Sequence, residues 1–207
     1  MRILFAALLI LSSAGVLISA QTRQPITIRA GKLIDGRGGI QENVVVTIHD
    51  GKIASIGRNA GAVTHDLSKY TLLPGFIDTH VHILWHFGPD GRYVSGREPA
   101  ESRIKAGIEN AHTTVAHGFT TVQSVGETLD AELRNTLEKD NLPGPRILSS
   151  LGQVNERSGT ARGGGGGTAT PEQLRKAVRD LKDAGAQLIK IFASASIRDG
   201  GKQTMTD

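Results

Sequence analysis

Between Phe76 and Phe192 the hydrophobic period of the chain switches back and forth between two residues and about 3.6, and this alternation restricts the fold more than anything else in it. A strand beginning at Phe76 is followed by a helical stretch from Pro99 to His117, with Ile104, Ile108, Ala111 and Val115 on one face. Gly118 to Val122 then reads as a strand. Leu129, Leu133 and Leu137 repeat the helical spacing, Pro143-Gly144-Pro145 stops it, and Arg146 to Leu151 is the next strand. Thr170-Pro171-Glu172-Gln173 predicts an N-cap, a proline at the first helical position and a capping-box glutamine, opening a helix with Leu174, Val178 and Leu181 on its buried side. Gly185 ends it, and Gln187 to Phe192 completes a fourth strand. Strand–helix repetition of this kind implies parallel strands joined by crossover helices.

The part before Pro74 is different. Ile26, Ile28 and Ala30 alternate with polar neighbours, Val44 to Ile48 is a strand, and Asp50-Gly51 supplies a tight turn into Lys52 to Ile56. So few short strands bury little surface by themselves. Met1-Arg2, the apolar run Ile3 to Leu11, a small-residue break and Ala20 read together as a signal peptide over residues 1–20. The run is interrupted and short of the ~20 apolar residues a spanning helix needs, so an exported protein, periplasmic or secreted, with no stable membrane span after cleavage, is expected. The absence of cysteine excludes disulfides, thiolate zinc sites and cysteine nucleophiles, leaving nitrogen and oxygen as the only ligand atoms. Lysines and arginines are scattered among acids and the net charge is only +4, so no nucleic-acid partner is expected.

Leu72-Leu73-Pro74-Gly75-Phe76-Ile77-Asp78-Thr79-His80-Val81-His82 ends a short apolar run in two histidines at i and i+2. On an extended strand both imidazoles emerge on one face, while Thr79 and Val81 point away. Alone, such a pair is most simply the polar face of an edge strand. Its setting, a proline-glycine turn before the strand and the histidines at the carboxyl end, resembles the P-G-F-I-D-x-H-x-H signature of the amidohydrolase superfamily. Gly118-Phe119-Thr120-Thr121-Val122, Leu142-Pro143-Gly144-Pro145-Arg146 and Gly185-Ala186-Gln187-Leu188-Ile189-Lys190-Ile191 resemble, in order, later landmarks of its imidazolonepropionase-like and prolidase-like (Xaa-Pro dipeptidase-like) subgroup.

That resemblance implies an α/β protein built as a (β/α)8 TIM barrel, whose sites lie at the C-terminal ends of the strands. Residues 74–207 would be the first half of the barrel, four of its units, and residues 21–73 part of a small N-terminal β-sandwich. The chain is accordingly expected to be an N-terminal fragment, since a barrel of eight units needs about 250 residues. It also implies a binuclear metal site of which His80, His82 and Lys190 are the visible members. Lys190 would be carboxylated by carbon dioxide, desolvation favouring the neutral amine that reacts, and its carbamate would bridge two divalent metals. Zinc suits imidazole and carboxylate-type oxygen. Without the resemblance, Lys190 reads as a strand-end lysine reaching water or pairing with a carboxylate.

Function follows from the same resemblance: a metal-activated hydroxide would hydrolyse a carbon–nitrogen bond in a small amide, cyclic amide or dipeptide. Two further histidines and a general-base aspartate would lie beyond Asp207, so this chain alone would be inactive. His86 is a candidate substrate contact, and a homo-oligomer is compatible with everything above. Gly163 to Gly167 lacks the Gly-Lys-Ser/Thr of a phosphate loop and reads as a mobile loop able to act as a lid. Val122-Gln123-Ser124 departs from relatives that carry arginine and aspartate there. Two rival readings are a non-catalytic amidohydrolase-like scaffold and an inactive truncated fragment.

Overall fold

The structure is a computed structural model that describes residues 24–58, 62–94, 98–158 and 169–205. The signal-peptide stretch and the Gly163–Gly167 run fall outside the described residues. The chain divides into two compact units between Pro74 and Gly75.

In the first unit, β1 (Ile26–Ile34), β2 (Ile40–His49), β3 (Lys52–Gly57) and β4 (His65–Leu72) form one sheet in the order β3-β2-β1-β4. Antiparallel β1–β2 and β2–β3 pairs are set by their turns. Asp35 closes the first, its carboxylate accepting the amide N–H groups of Arg37 and Gly39, which hold its pKa below the ordinary carboxylate value. Asp50 and Gly51 close the second at φ 48° and 72°, as a two-residue hairpin requires. A small core of Ala30, Leu33 and Val44, backed by Leu72, lies on one face. The described residues supply a single four-stranded sheet here and no second layer facing it within this unit.

The second unit carries the alternation. β5 (Phe76–Val81), β6 (Phe119–Ser124) and β7 (Arg146–Ser149) run parallel, joined by α1 (Ala100–Ala116) and α2 (Leu129–Lys139). The helices cover one sheet face through Ile104, Ala111, Leu133 and Leu137, which meet Val122 and Ile147. Both helices bury the stripe expected from their spacing.

Beyond Ser149 the three-stranded ladder ends and a separate two-stranded sheet begins. Leu151 sits at φ 52°, and the chain resumes as β8 (Gln153–Asn155), paired in parallel with β9 (Lys190–Phe192). The fourth strand is thus shorter than the expected Gln187–Phe192. The reason lies at Gln187: its side-chain Oε1 accepts the Ser149 N–H at 3.1 Å while its own N–H donates to the Ser149 carbonyl at 3.0 Å, so a side chain occupies one ladder position. Ile191 and Phe192 are 53% and 40% exposed, so this strand is more open than its apolar sequence implies. α3 (Pro171–Asp183) has the expected capping box, with Thr170 and Gln173 bonded reciprocally. Its Leu174, Val178 and Leu181 side is only partly covered, and none of the three is fully buried.

Candidate functional site

β5 delivers His80 and His82 to the C-terminal end of the parallel sheet. Val81 between them turns into the helix-covered core, so strand alternation puts both imidazoles on the opposite face. Their ring centroids are 5.8 Å apart. His80 is exposed, its backbone N–H donating to Asp78 Oδ1 at 3.0 Å. His82 is half-buried and stacks on Trp85, centroids 3.8 Å apart and planes 10° from parallel.

Burial depresses the pKa of His82 first, and the neighbouring His80 charge adds to it; the Lys190 ammonium pushes the same way, while Asp130 and Glu127 oppose. A depressed pKa keeps the ring neutral, which is the form that ligates a metal. Lys190 therefore lies within electrostatic reach of His82. It opens β9, opposite Gln153, half-buried, with Nζ 4.9 Å from the Phe192 ring centroid, a cation–π placement. Two imidazoles after one strand, the His82 ring held toward its neutral form, and the amine that opens β9 are donor types that fit a divalent cation. Among the described residues no group of three His, Cys, Asp or Glu side chains is arranged to hold one.

His86 is engaged within its own loop: Nδ1 lies 3.3 Å from the Leu84 carbonyl and Nε2 3.0 Å from Glu98 Oε2. His49 and His65 are exposed residues of the first unit, and His112 and His117 are exposed on and at the end of α1; His117 caps α1, its Nδ1 2.8 Å from the Thr113 carbonyl.

Two features escaped the sequence reading. Asp130, in the first turn of α2, is 1% exposed and accepts the Ser149 hydroxyl at 2.6 Å, with Ser124 as a second partner. Desolvation raises its pKa above the ordinary carboxylate value, and the two serines partly offset this. The other feature is Trp85. Its only signal was being the one tryptophan of the chain, three residues after the histidine pair.

The described residues contain no helix long and apolar enough to cross a membrane. A model of the amidohydrolase family matches residues 71–203. A dihydroorotase from Trichlorobacter lovleyi is 31% identical over 110 residues, 51% of this chain and 23% of that protein. An adenine deaminase from Bacillus subtilis is 33% identical over 99 residues, 47% of this chain and 14% of that protein. Among solved structures, a Xaa-Pro dipeptidase with methionine bound in its active site superposes with a TM-score of 0.69 at 26% identity, covering 84% of this chain and 48% of that one. A prolidase complexed with N-methylphosphonate-L-proline gives a TM-score of 0.64 at 25% identity, with 84% and 48% covered. The chain thus spans about half the length of these solved structures and under a quarter of the curated relatives.

Proposed function

Because the chain belongs to the amidohydrolase family, we propose that it supplies half of the active site of a metal-dependent hydrolase that cleaves a carbon–nitrogen bond in a small amide, cyclic amide or dipeptide. The observation that carries this reading is the His80–His82 pair at the end of β5, ring centroids 5.8 Å apart. The matched relatives, a dihydroorotase, an adenine deaminase and Xaa-Pro dipeptidases, support a small-molecule substrate.

In this reading His80 and His82 hold one of two divalent cations, zinc by preference for nitrogen and carboxylate-type donors. Lys190 contributes as its carbamate: the neutral amine adds to carbon dioxide, forms the N–C bond and releases one proton. The cations supply Lewis acidity toward the substrate carbonyl. The chain's own part is to fix donor geometry. β5 presents the two imidazoles, and the ladder between Gln153 and Lys190 sets how far the lysine reaches. Export rests on residues 1–20 and is retained as part of the proposal, with cell fractionation as its check.

Metal analysis of the full-length protein tests the core of the reading. About two zinc equivalents per chain are expected, as in two-metal sites generally. His80→Ala and Lys190→Ala should each lose zinc and amide hydrolysis together. Hydrolysis at the wild-type rate by metal-free Lys190→Ala protein would overturn the assignment.

A further inference from the structure

The loop after β5 presents an aromatic surface that the ligand assignment leaves unused. Trp85 is 49% exposed, yet its backbone is fixed on three sides. Its N–H donates to the His82 carbonyl at 2.9 Å, and Asn110 Nδ2 of α1 donates to the carbonyls of both Ile83 and Trp85, each at 2.9 Å. The two residues before it, Ile83 and Leu84, are core residues at 4% and 2% exposure. A solvent-facing indole is therefore mounted on an immobile base.

The chain then folds back to extend that surface. Phe87 and Tyr93 form an antiparallel bridge, closed by Gly88 N–H to the Arg92 carbonyl at 2.8 Å and Val94 N–H to the His86 carbonyl at 3.1 Å. The excursion brings Tyr93 against Trp85, centroids 5.0 Å apart, and leaves Phe87 72% exposed. Nearby charges are engaged elsewhere, His86 with Glu98 and Arg92 with Asp90. Single exposed aromatics are ordinary, but a contiguous rigid group beside a reactive centre marks a binding surface. Rigid indole and phenol rings bind apolar groups at small entropic cost.

We propose that Trp85 and Tyr93 form the wall of a specificity subsite that receives an aromatic or bulky apolar side chain of the substrate, on the side of the scissile bond facing His82. The stack of Trp85 on His82 sets this location, because a group lying on the indole is one ring away from the candidate ligand. The inference rests on the amide-hydrolase reading and narrows it from any small amide to one with an apolar side chain.

The experiment has two arms, both on the full-length, metal-loaded protein. In the first, the emission of Trp85, taken as the difference between wild type and Trp85→Phe, is titrated with N-acetylphenylalaninamide and N-acetylglycinamide. A saturable change is expected with the phenylalanine compound at about tenfold lower concentration than with the glycine compound. In the second, kcat/KM is measured for phenylalanyl-proline and glycyl-proline. Trp85→Ala should lower the ratio of the two by about tenfold, chiefly through KM, with zinc content retained. Tyr93→Ala, whose ring lies farther from His82, should lower the ratio in the same direction and covers the case in which Trp85→Ala does not fold.

Equal emission responses to the two amides, or an unchanged ratio in both variants, overturn the subsite. So does loss of zinc in Trp85→Ala with both substrates falling alike, since the indole then only supports His82. If the wild type hydrolyses no amide, the amide-hydrolase reading fails by itself, and the emission arm still decides whether the wall binds an apolar group.

Discussion

Ser149 donates its hydroxyl to Oδ2 of Asp130 at 2.6 Å, and neither side chain is more than 1% exposed. The pair joins the first turn of α2 to the end of β7. A carboxyl buried there resists ionisation, because burial removes water from the charged form faster than two serine hydroxyls replace it.

Stability should therefore depend on pH in a defined direction. The folded-state pKa of Asp130 lies above its ordinary value of 3.8, so its favourable contribution is complete below that value and is lost as pH rises through the folded pKa. Asp130→Asn keeps an acceptor for Ser149 and cannot ionise. Urea unfolding from pH 4 upward should show the wild type losing stability relative to Asp130→Asn as pH increases; parallel curves would mean that the carboxyl is not held neutral. Asp130→Ala, which leaves the buried Ser149 hydroxyl without that acceptor, should cost about 1–3 kcal/mol.

Lys190 separates a ligand from a mere strand-end cation. If its carbamate matters, Lys190→Glu should retain measurable zinc and hydrolysis, because a carboxylate presents the same pair of oxygens, whereas Lys190→Ala should retain neither. Equal zinc content in the two variants would leave the amine as a cation stacked on Phe192 and nothing more.

The capping box of α3 should be worth about 1 kcal/mol. Thr170 accepts the Gln173 N–H at 3.3 Å, and Gln173 Oε1 accepts the Thr170 N–H at 2.8 Å. Thr170→Ala should lower the thermal midpoint by a few degrees, and Thr170→Ser should restore most of it. Calorimetry on the two variants checks this.

Gly75 is where the chain leaves no room for a side chain. A Cβ there would lie 2.7 Å from Thr120 Cβ and closer still to its γ atoms, so β5 and β6 could not keep their register at this point. Gly75→Ala should destabilise by about 1–3 kcal/mol, and Gly75→Ala combined with Thr120→Gly should recover much of the loss in denaturant titrations. This contact gives the glycine of the Pro-Gly turn a steric reason, beyond its place in a motif.

What the sequence could reveal was whatever depends on neighbours along the chain. The period of two put His80 and His82 on one face, the turn chemistry of Asp50-Gly51 closed a hairpin, and Thr170 to Gln173 opened a helix. The misses are long-range. Asp130 reads as a solvent-facing acid in a first helical turn, and only the approach of β6 and β7 encloses it. Gln187 reads as the start of a strand, and only its bond to Ser149, 38 residues away, turns its side chain into a substitute ladder partner. Trp85 carries no periodic signal at all, since its role comes from the ring beneath it and the helix behind it.

The two hydrogen bonds from Asn110 divide the β5 loop into a fixed base and a detachable tip. The histidine pair and the core residues Ile83 and Leu84 precede the second of these bonds in the chain, and the aromatic excursion from Phe87 to Tyr93 follows it. The tip is in effect a cassette. Exchange of those seven residues would alter the Tyr93 side of the proposed aromatic wall and leave Trp85 and the histidine pair in place.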